Sequence, residues 1–496
     1  RRQRQMCIRD RINLIVFVPI IAAFLIGIFG SGKKIAFVAS SINLVFGVFI
    51  FLELFKTGGK EIIYETSLIV LENPKLTLGF GVDGMSGLLM LLTVIVTFCA
   101  VQISPESGPD GKDKLYHISS MLISAGALGA FCATDLFFMF AFHELALIPT
   151  FLMIGIYGHG RDKISVAWKI TIYLGLGSLV LLGGLIALYS NLTSSGLATF
   201  NIKELTDLAA NQSMSELSQK WIFLVIFIGF GILVSLFPFH SWAAPAYAAA
   251  PTSVAMLHAG VLKKFGLYGI IRIAMPMLPD GFQAWEGLIF VLLLGNIIYV
   301  GFVTIAQNQL DKMLGNSSVM HMGYAFLGIA CFNEIGWNGA VFMMFAHGIS
   351  IALLFALCGS LRERLNTLSL TRIGGLAGKV PFLAVTFGFA AFASIGLPGF
   401  ANFASEITIL FAAFKGANEI TGLQITAMIA VWGVVISAVY MLRAYRGIFQ
   451  GESDRNLTLV RKDLLPKSPI VVLILILMIT GFFPNIILSI LHLIPS

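Results

Sequence analysis

Runs of apolar residues, each about as long as a membrane crossing, alternate along this chain with short polar connections. A helix needs about 20 apolar residues to cross a hydrocarbon core of roughly 30 Å. Only the connections at 55–83 and 190–219 are long, and neither can hold a soluble domain. The pattern predicts an all-α polytopic membrane protein, with a single transmembrane domain over 12–490 and a short tail at 491–496.

These runs predict about fourteen transmembrane spans. They cover 12–29, 34–54, 84–104, 116–133, 135–157, 166–189, 220–237, 252–275, 284–306, 316–332, 338–361, 381–411, 421–449 and 467–490. Lys and Arg are concentrated in the loops that follow odd-numbered spans. The positive-inside rule places those loops in the cytoplasm or an organellar matrix, and both termini on the opposite side.

Two of the predicted spans, the seventh and the twelfth, are interrupted by proline. Pro238 lies in the segment 236–245, and Pro398 lies in the Gly-rich segment 396–402. Broken helices at matching positions of two halves are typical of inverted-repeat transporters and mark the ion site. The distance of five spans between the breaks predicts two inverted five-helix repeats. They comprise spans 4–8, at about 116–275, and spans 9–13, at about 284–449.

Composition agrees with this class and excludes others. The chain is 57% hydrophobic and only 11% charged, whereas soluble domains carry roughly 25% charged residues. The net charge of +7 is scattered over many loops and forms no nucleic-acid surface. No pair of cysteines or histidines has metal-ligand spacing, so neither a metal site nor a disulfide is expected. Residues 1–11 look like a translated adapter sequence and are expected to be a non-native or disordered basic segment.

Ionisable side chains lie inside several predicted spans, where a charge costs about 2.5–3.5 kcal/mol even by lenient measures. Such a row indicates a proton or ion pathway. Each member has a simpler alternative, since a lysine can extend to the interface and a histidine can be ordinary packing. The main candidates are Glu144, Lys263, Lys264, His321, His347 and Glu406. Secondary candidates are His143, His240 and His258.

Four segments carry a family resemblance. They are 142–149, 237–242, 250–264 and 396–406. These stretches resemble the antiporter-like membrane subunits of respiratory complex I, and among them the chain 4 (NuoM) type of NADH-quinone oxidoreductase. Chains 2 and 5 and the Mrp cation/proton antiporters are similar to a lesser degree. The resemblance covers nearly the whole chain after residue 12.

The resemblance implies a proton-translocating subunit in a bacterial or organellar inner membrane. It implies that FMN, iron–sulfur clusters and quinone are held by partner subunits, with none in this chain, and that chains of the 2 and 5 type are neighbours. Glu144 would be the fifth-span glutamate, and Lys264 the lysine that joins two half-channels. His321 and His347 would be relays, and Glu406 the terminal charge. An Mrp-type antiporter, a membrane arm of a proton-pumping hydrogenase and a structural scaffold are the alternatives.

One departure from the family pattern concerns the partner of Glu144. The family places a lysine in the seventh span, where this chain has Leu233. The hypothesis is that Lys263 or a histidine supplies the missing positive charge.

Overall fold

The computed structural model describes residues 11–105, 113–193, 198–211, 214–451 and 466–493. Most of the predicted basic segment and the end of the tail therefore lie outside the described residues. The helices of the first half are α1 Arg11–Phe29, α2 Gly32–Thr57, α3 Gly84–Ile103, α4 Asp113–Cys132, α5 Leu136–Tyr157, α6 Lys163–Leu192, α7 Ile202–Asn211, α8 Glu216–Val234, α9 Ala243–Ala249 and α10 Thr252–Met277. Those of the second half are α11 Pro279–Ile305, α12 Leu310–Ala330, α13 Glu334–Leu365, α14 Pro381–Ile395, α15 Ala401–Phe414, α16 Gly422–Phe449, α17 Lys467–Phe482 and α18 Asn485–Leu488.

The helical membrane class is confirmed. Within the described residues, 11 helices are long and apolar enough to cross a membrane. Shorter apolar helices, α14, α15 and α17, fall in the predicted twelfth and fourteenth spans. The more polar α12 fills the predicted tenth span and is almost wholly buried. The total of fourteen spans stays a prediction.

Both long connections contain regular structure where only loops were expected. Strands β1 Ile63–Leu71 and β2 Leu76–Val82 form an antiparallel hairpin in the first connection. The second connection contains the amphipathic helix α7. A salt bridge of 2.6 Å between Lys75 and Glu204 joins the hairpin to α7. Both connections follow even-numbered spans, so their meeting on one face agrees with the predicted topology.

The two interrupted spans end in the same way. The residue after α8, Ser235, and the residue after α14, Gly396, both have left-handed backbone, with φ of 65° and 80°. In each case the next N–H donates to the carbonyl oxygen five residues earlier. This is the Schellman ending, which satisfies carbonyls that a helix leaves free. The shared ending supports the predicted repeats, whose inverted relation stays a prediction.

Asn296 of α11 satisfies the backbone exposed by the first break. Its side-chain oxygen accepts a hydrogen bond of 2.6 Å from the N–H of Phe237. Its amide nitrogen donates to the carbonyl oxygen of Val319 in α12, at 3.0 Å. The indole of Trp242 covers a further carbonyl, that of Ile232, at 3.1 Å. Freed backbone groups are tolerated at membrane depth only when protein satisfies them in this manner.

Replacing Asn296 with leucine should destabilise the subunit. Leucine has similar volume but leaves the part-buried N–H of Phe237 without this partner, at about 1–3 kcal/mol, and removes the hydrogen bond to the carbonyl of Val319 inside α12. Thermal unfolding of the purified complex in detergent measures the effect. Asn43→Leu is the matched control, because that buried amide makes one hydrogen bond, to Ile15. Equal unfolding temperatures for the two variants would contradict the role assigned to Asn296.

Helices α10 and α13 are enclosed by protein and pack closely at two glycines. A Cβ atom on Gly348 would lie 2.7 Å from the carbonyl oxygen of Gly260. Small residues let transmembrane backbones approach each other in this way. The contact lies beside His347 and beside the turn that precedes Lys263. The two glycines thus bring the polar side chains of α10 and α13 within reach of α12.

Candidate functional site

Polar side chains from four helices form a row that leads from α10 into the second half of the molecule. The row starts at Lys263 of α10, whose ammonium donates to the hydroxyl of Ser318 at 3.4 Å. The same hydroxyl lies 3.0 Å from Nε2 of His347. The rings of His347 and His321 follow, with centroids 5.5 Å apart. Finally, Nδ1 of His321 lies 3.7 Å from a carboxylate oxygen of Glu406.

Neighbouring side chains along this row can exchange protons with each other. A serine hydroxyl both donates and accepts, and an imidazole can take a proton at one nitrogen and release it from the other. All five side chains are nearly inaccessible to solvent. The structure thus brings together His347, His321 and Glu406 with Lys263, where the resemblance implied Lys264, and adds Ser318, which the sequence did not single out.

The two adjacent lysines point in different directions. Lys264 donates to the carbonyl oxygen of Ala259, at 2.5 Å, within its own helix. Lys263 instead faces Ser318, as described above. Both side chains are buried, at 1% and 0% exposure for Lys263 and Lys264, so neither extends to the membrane interface. By its hydrogen bond to Ser318, Lys263 is the member of the pair that joins the row, while Lys264 is close enough to His347 for its charge to act on that ring.

A π-helical turn, His258–Leu262, explains the divergence of the lysines. The N–H of Lys263 donates to the carbonyl of His258, five residues earlier, at 3.1 Å. The extra residue in the turn rotates the following side chains relative to a regular α-helix. Such π-bulges occur often at functional sites.

Glu144 of α5 forms a separate pair outside this row. Its carboxylate lies 3.3 Å from Nδ1 of His143, and its side chain is 36% exposed. His143 is buried and stacks on the ring of Phe265, with centroids 4.0 Å apart. Among the described residues no lysine forms an ion pair with Glu144. Of the two hypotheses for its missing counter-charge, the geometry favours a histidine, His143, over Lys263.

Leu233, where the family pattern has lysine, is packed in apolar surroundings. It is 4% exposed. Its Cδ2 would lie 3.6 Å from a Cβ atom on Gly177 of α6. The position therefore joins α8 to α6 and contributes no charge.

His240 lies within the first break and is separate from the row. Its ring stacks on Phe237 at 5.7 Å and approaches Tyr299 at 6.0 Å. Pro238 lies in the non-helical link between α8 and α9, and Pro398 lies in the link between α14 and α15. The predicted role of His240 in proton transfer stays a prediction.

The end of the row near Glu406 contains further polar groups that the sequence did not reveal. The Tyr440 hydroxyl of α16 lies 3.4 Å from Nε2 of His321 and 2.8 Å from the hydroxyl of Ser317. Ser317 and Ser318 precede His321 by about one helical turn. Their spacing in the sequence could therefore have predicted that they lie on the same face of the helix as His321. Tyr440 is more than a hundred residues away along the chain, and no sequence pattern connects it to His321.

Cysteines and metal ligands do not contribute to this site. In the described ranges, no group of three or more His, Cys, Asp or Glu residues could hold a metal ion. Cys99, Cys132, Cys331 and Cys358 are buried free thiols.

A polar cavity of about 620 Å³ opens at the face that carries the hairpin and α7. Within it, Arg272 of α10 forms a salt bridge of 2.6 Å with Asp83, the residue that caps α3. Arg272 and Asp83 thus form part of the cavity wall and connect α10 to the start of α3.

The sequence is similar to known membrane subunits of NADH-quinone oxidoreductases. The family profile for the transmembrane region of NADH:quinone oxidoreductases and Mrp antiporters matches residues 133–437. NADH-quinone oxidoreductase subunit M of Rickettsia prowazekii is 32% identical, with 97% of each chain covered. The subunit M of Escherichia coli strain K12 is 31% identical, over 84% of this chain and 81% of that protein.

Solved structures show the same fold. A chain of respiratory complex I from Thermus thermophilus, with bound NADH, superposes with a TM-score of 0.85 at 27% identity, and the match covers 97% of each chain. The Mrp complex from Dietzia sp. gives a TM-score of 0.83 at 22% identity, covering 98% of this chain and 96% of its own. At that identity the second match supports the fold alone. The chain therefore belongs to the family of NADH:quinone oxidoreductase and Mrp antiporter membrane subunits, and its relatives in that family include NADH-quinone oxidoreductase subunits M.

Proposed function

We propose that this chain is a proton-translocating membrane subunit of NADH:quinone oxidoreductase in the inner membrane of a bacterium. The observation that carries the proposal is the buried row from Lys263 through Ser318, His347 and His321 to Glu406. Burial of five polar groups in a membrane protein is costly and is retained where it conducts ions or protons. The relatives of subunit M type favour this function over an Mrp-type antiporter.

Protons move along this row in the proposed mechanism without a redox group in the chain. One half-channel lies among α4–α10 and leads to Lys263, and the other lies among α11–α16 and contains His321 and Glu406. Reduction of quinone in neighbouring subunits changes the charge at one end of the row. Because buried groups titrate as a coupled set, that change moves protons along it. FMN, iron–sulfur clusters and quinone belong to the partner subunits.

The exposure of Glu144 supports assembly with other subunits. A carboxylate in the middle of α5 that faces outward would meet lipid if the chain stood alone. Charged side chains at membrane depth almost always face protein or water-filled cavities. We infer that a neighbouring membrane subunit, of the chain 2 or chain 5 type, covers Glu144.

Substitution of Glu144 with glutamine tests the proposal. Glutamine keeps the shape and removes the exchangeable charge, so NADH-driven acidification of vesicles should fall by about tenfold or more. Glu419→Gln is the control, because that carboxylate is exposed in a loop, and it should pump normally. Normal acidification by the Glu144 variant would remove this residue from the mechanism. Proton movement driven by a sodium gradient without NADH would instead support the Mrp alternative.

A further inference from the structure

The polar cavity at the face with the hairpin and α7 reaches into the first half of the molecule along α10. On the predicted topology this is the outer face, opposite the loops rich in Lys and Arg. Among the α10 residues that line the cavity, Tyr268 lies deepest, since the other three are at positions 271–276. Lys264 lies four residues, or about one helical turn, deeper in the same helix. An open path from the cavity past Tyr268 would therefore expose the buried lysines to the outer face.

Two aromatic rings form the inner end of the cavity. The ring of Tyr268 packs edge-on against Phe131 of α4, with centroids 5.4 Å apart, and the two residues are 2% and 1% exposed. The Tyr268 hydroxyl donates to the carbonyl oxygen of Phe131 at 3.1 Å, which ties the ring to α4. Beyond this layer, the ammonium of Lys264 donates to the carbonyl of Ala259, toward the other end of the helix. The lysine thus points away from the cavity.

A fixed positive charge lies on the cavity side of these rings. The guanidinium carbon of Arg272 is 5.3 Å from the centroid of the Tyr268 ring. Two of its nitrogens contact the two carboxylate oxygens of Asp83 at 2.6 and 2.8 Å, which is the bidentate geometry that holds arginine most firmly. Asp83 is itself fixed at the start of α3, where it accepts a hydrogen bond of 3.0 Å from the N–H of Ser86. Arginine does not release its proton in proteins, so this charge is permanent.

We propose that Arg272, held by Asp83 above the rings of Tyr268 and Phe131, is a proton barrier that seals the first half of the subunit from the outer face. An arginine charge beside a narrow passage repels protons and other cations. A pump needs such a seal, because a path open from Lys264 to both faces at once would let protons flow back. The inference rests on the proposed function and assigns Arg272 to preventing a leak, whereas the row from Lys263 to Glu406 carries protons.

Neutralising the ion pair tests the barrier without NADH. Arg272→Met combined with Asp83→Asn removes both charges and leaves no unpaired carboxylate. When a pH gradient is imposed on vesicles that contain the intact complex, this double variant should dissipate it about tenfold faster than the wild type, since it lacks the repulsion of a partly buried charge. Arg272→Lys keeps a positive charge and should dissipate the gradient at close to the wild-type rate.

The ion pair between Arg362 of α13 and Asp311 of α12 is a matched control outside this cavity. It has a length of 2.8 Å and side-chain exposures of 19% and 14%, against 21% and 15% for Arg272 and Asp83. Arg362→Met combined with Asp311→Asn should leave the decay of the gradient unchanged. Equally fast decay in the two double variants would overturn the barrier, because loss of any ion pair of this kind would then loosen the fold.

Arg272→Cys gives a second test within the assembled protein. Because Arg272 lines the open cavity, a thiol at this position should react with methanethiosulfonate reagents. A reagent that attaches a trimethylammonium group restores the positive charge and should slow the leak of this variant. A reagent that attaches a neutral methyl group should leave the leak fast. Equal effects of the two reagents would show that charge at this position does not hold protons back.

The decay of an imposed gradient is independent of electron transfer, so it separates this inference from the function on which it rests. Fast decay in Arg272→Met with Asp83→Asn, with unchanged subunit content and a tight control pair, supports the barrier. Wild-type decay in that double variant and in Arg272→Cys overturns it, while loss of NADH-driven pumping in Glu144→Gln keeps the proposed function. If Glu144→Gln and Lys263→Leu both pump normally, the proposed function fails, and the decay still reports whether Arg272 blocks protons.

Discussion

Replacing Lys263 with leucine is expected to lower NADH-driven proton translocation by about 100-fold, since a positioned proton-transfer group contributes on that order. Lys263 is the group through which α10 contacts the row in α12 and α13, by its hydrogen bond to Ser318 at 3.4 Å. Leucine fills most of the same space but can neither donate to Ser318 nor exchange a proton. Translocation per NADH, measured with a pH-sensitive dye in reconstituted vesicles, gives the result directly.

The Lys263→Arg variant shows whether a fixed positive charge at this position is sufficient for proton translocation. Arginine keeps the positive charge but does not release its proton in proteins. If Lys263 exchanges a proton, the arginine variant should be as defective as the leucine variant. Pumping retained by arginine and lost with leucine would show a fixed counter-charge, contrary to the relay role. Lys415→Leu, at an exposed position beyond α15, is the control and should have no effect.

Replacing Gly396 with alanine is expected to disconnect Glu406 and to lower translocation by about tenfold. A Cβ atom at this position would lie 2.3 Å from Oε2 of Glu406, so the carboxylate must leave its place beside His321. Gly396 also has a φ of 80°, a conformation that costs alanine about 1–2 kcal/mol. Pumping and thermal stability of the purified complex should both decrease.

Gly416 is a matched control for the backbone cost. It has a φ of 72°, and a Cβ atom there would meet nothing within 4 Å. Gly416→Ala should therefore lose a similar amount of stability and keep its pumping. If the two alanine variants pump equally well, the close contact between Gly396 and Glu406 is not needed for proton translocation. If both lose pumping, backbone strain and not the position of Glu406 is the cause.

The surroundings of Glu144 show what a local departure in sequence leaves to the three-dimensional structure. Leu233 replaces the lysine of the family pattern, and the sequence alone left Lys263 and a histidine as candidates. The structure places His143 3.3 Å from Glu144 and turns Lys263 toward Ser318. The sequence ranked His143 only as a secondary candidate. Its stacking on Phe265, which holds the ring in place, depends on the packing of α5 against α10.

The sequence by itself determined the class of protein and most of the charged groups in the site. A charge inside an apolar span is visible in one dimension because the membrane makes it expensive, and this pointed to Glu144, Lys263 and Glu406. The two proline breaks were visible for a similar reason, since proline cannot continue the hydrogen bonds of a helix. The strands of hairpin β1–β2 are largely apolar, but at nine and seven residues they are too short to be recognised as membrane spans. Helix α7 was missed because its exposed polar residues resemble those of a loop.

Only the tertiary structure decided which of these groups touch each other. Side chains on adjacent helical residues point about 100° apart, and the π-turn before Lys263 changes that direction further. No periodicity in the sequence indicates where the extra residue of such a turn is inserted. Likewise, Ser318 and Tyr440 are ordinary residues until α12, α13 and α16 pack together. Their contribution comes from distances between helices, and those distances are set by close contacts such as Gly260 against Gly348.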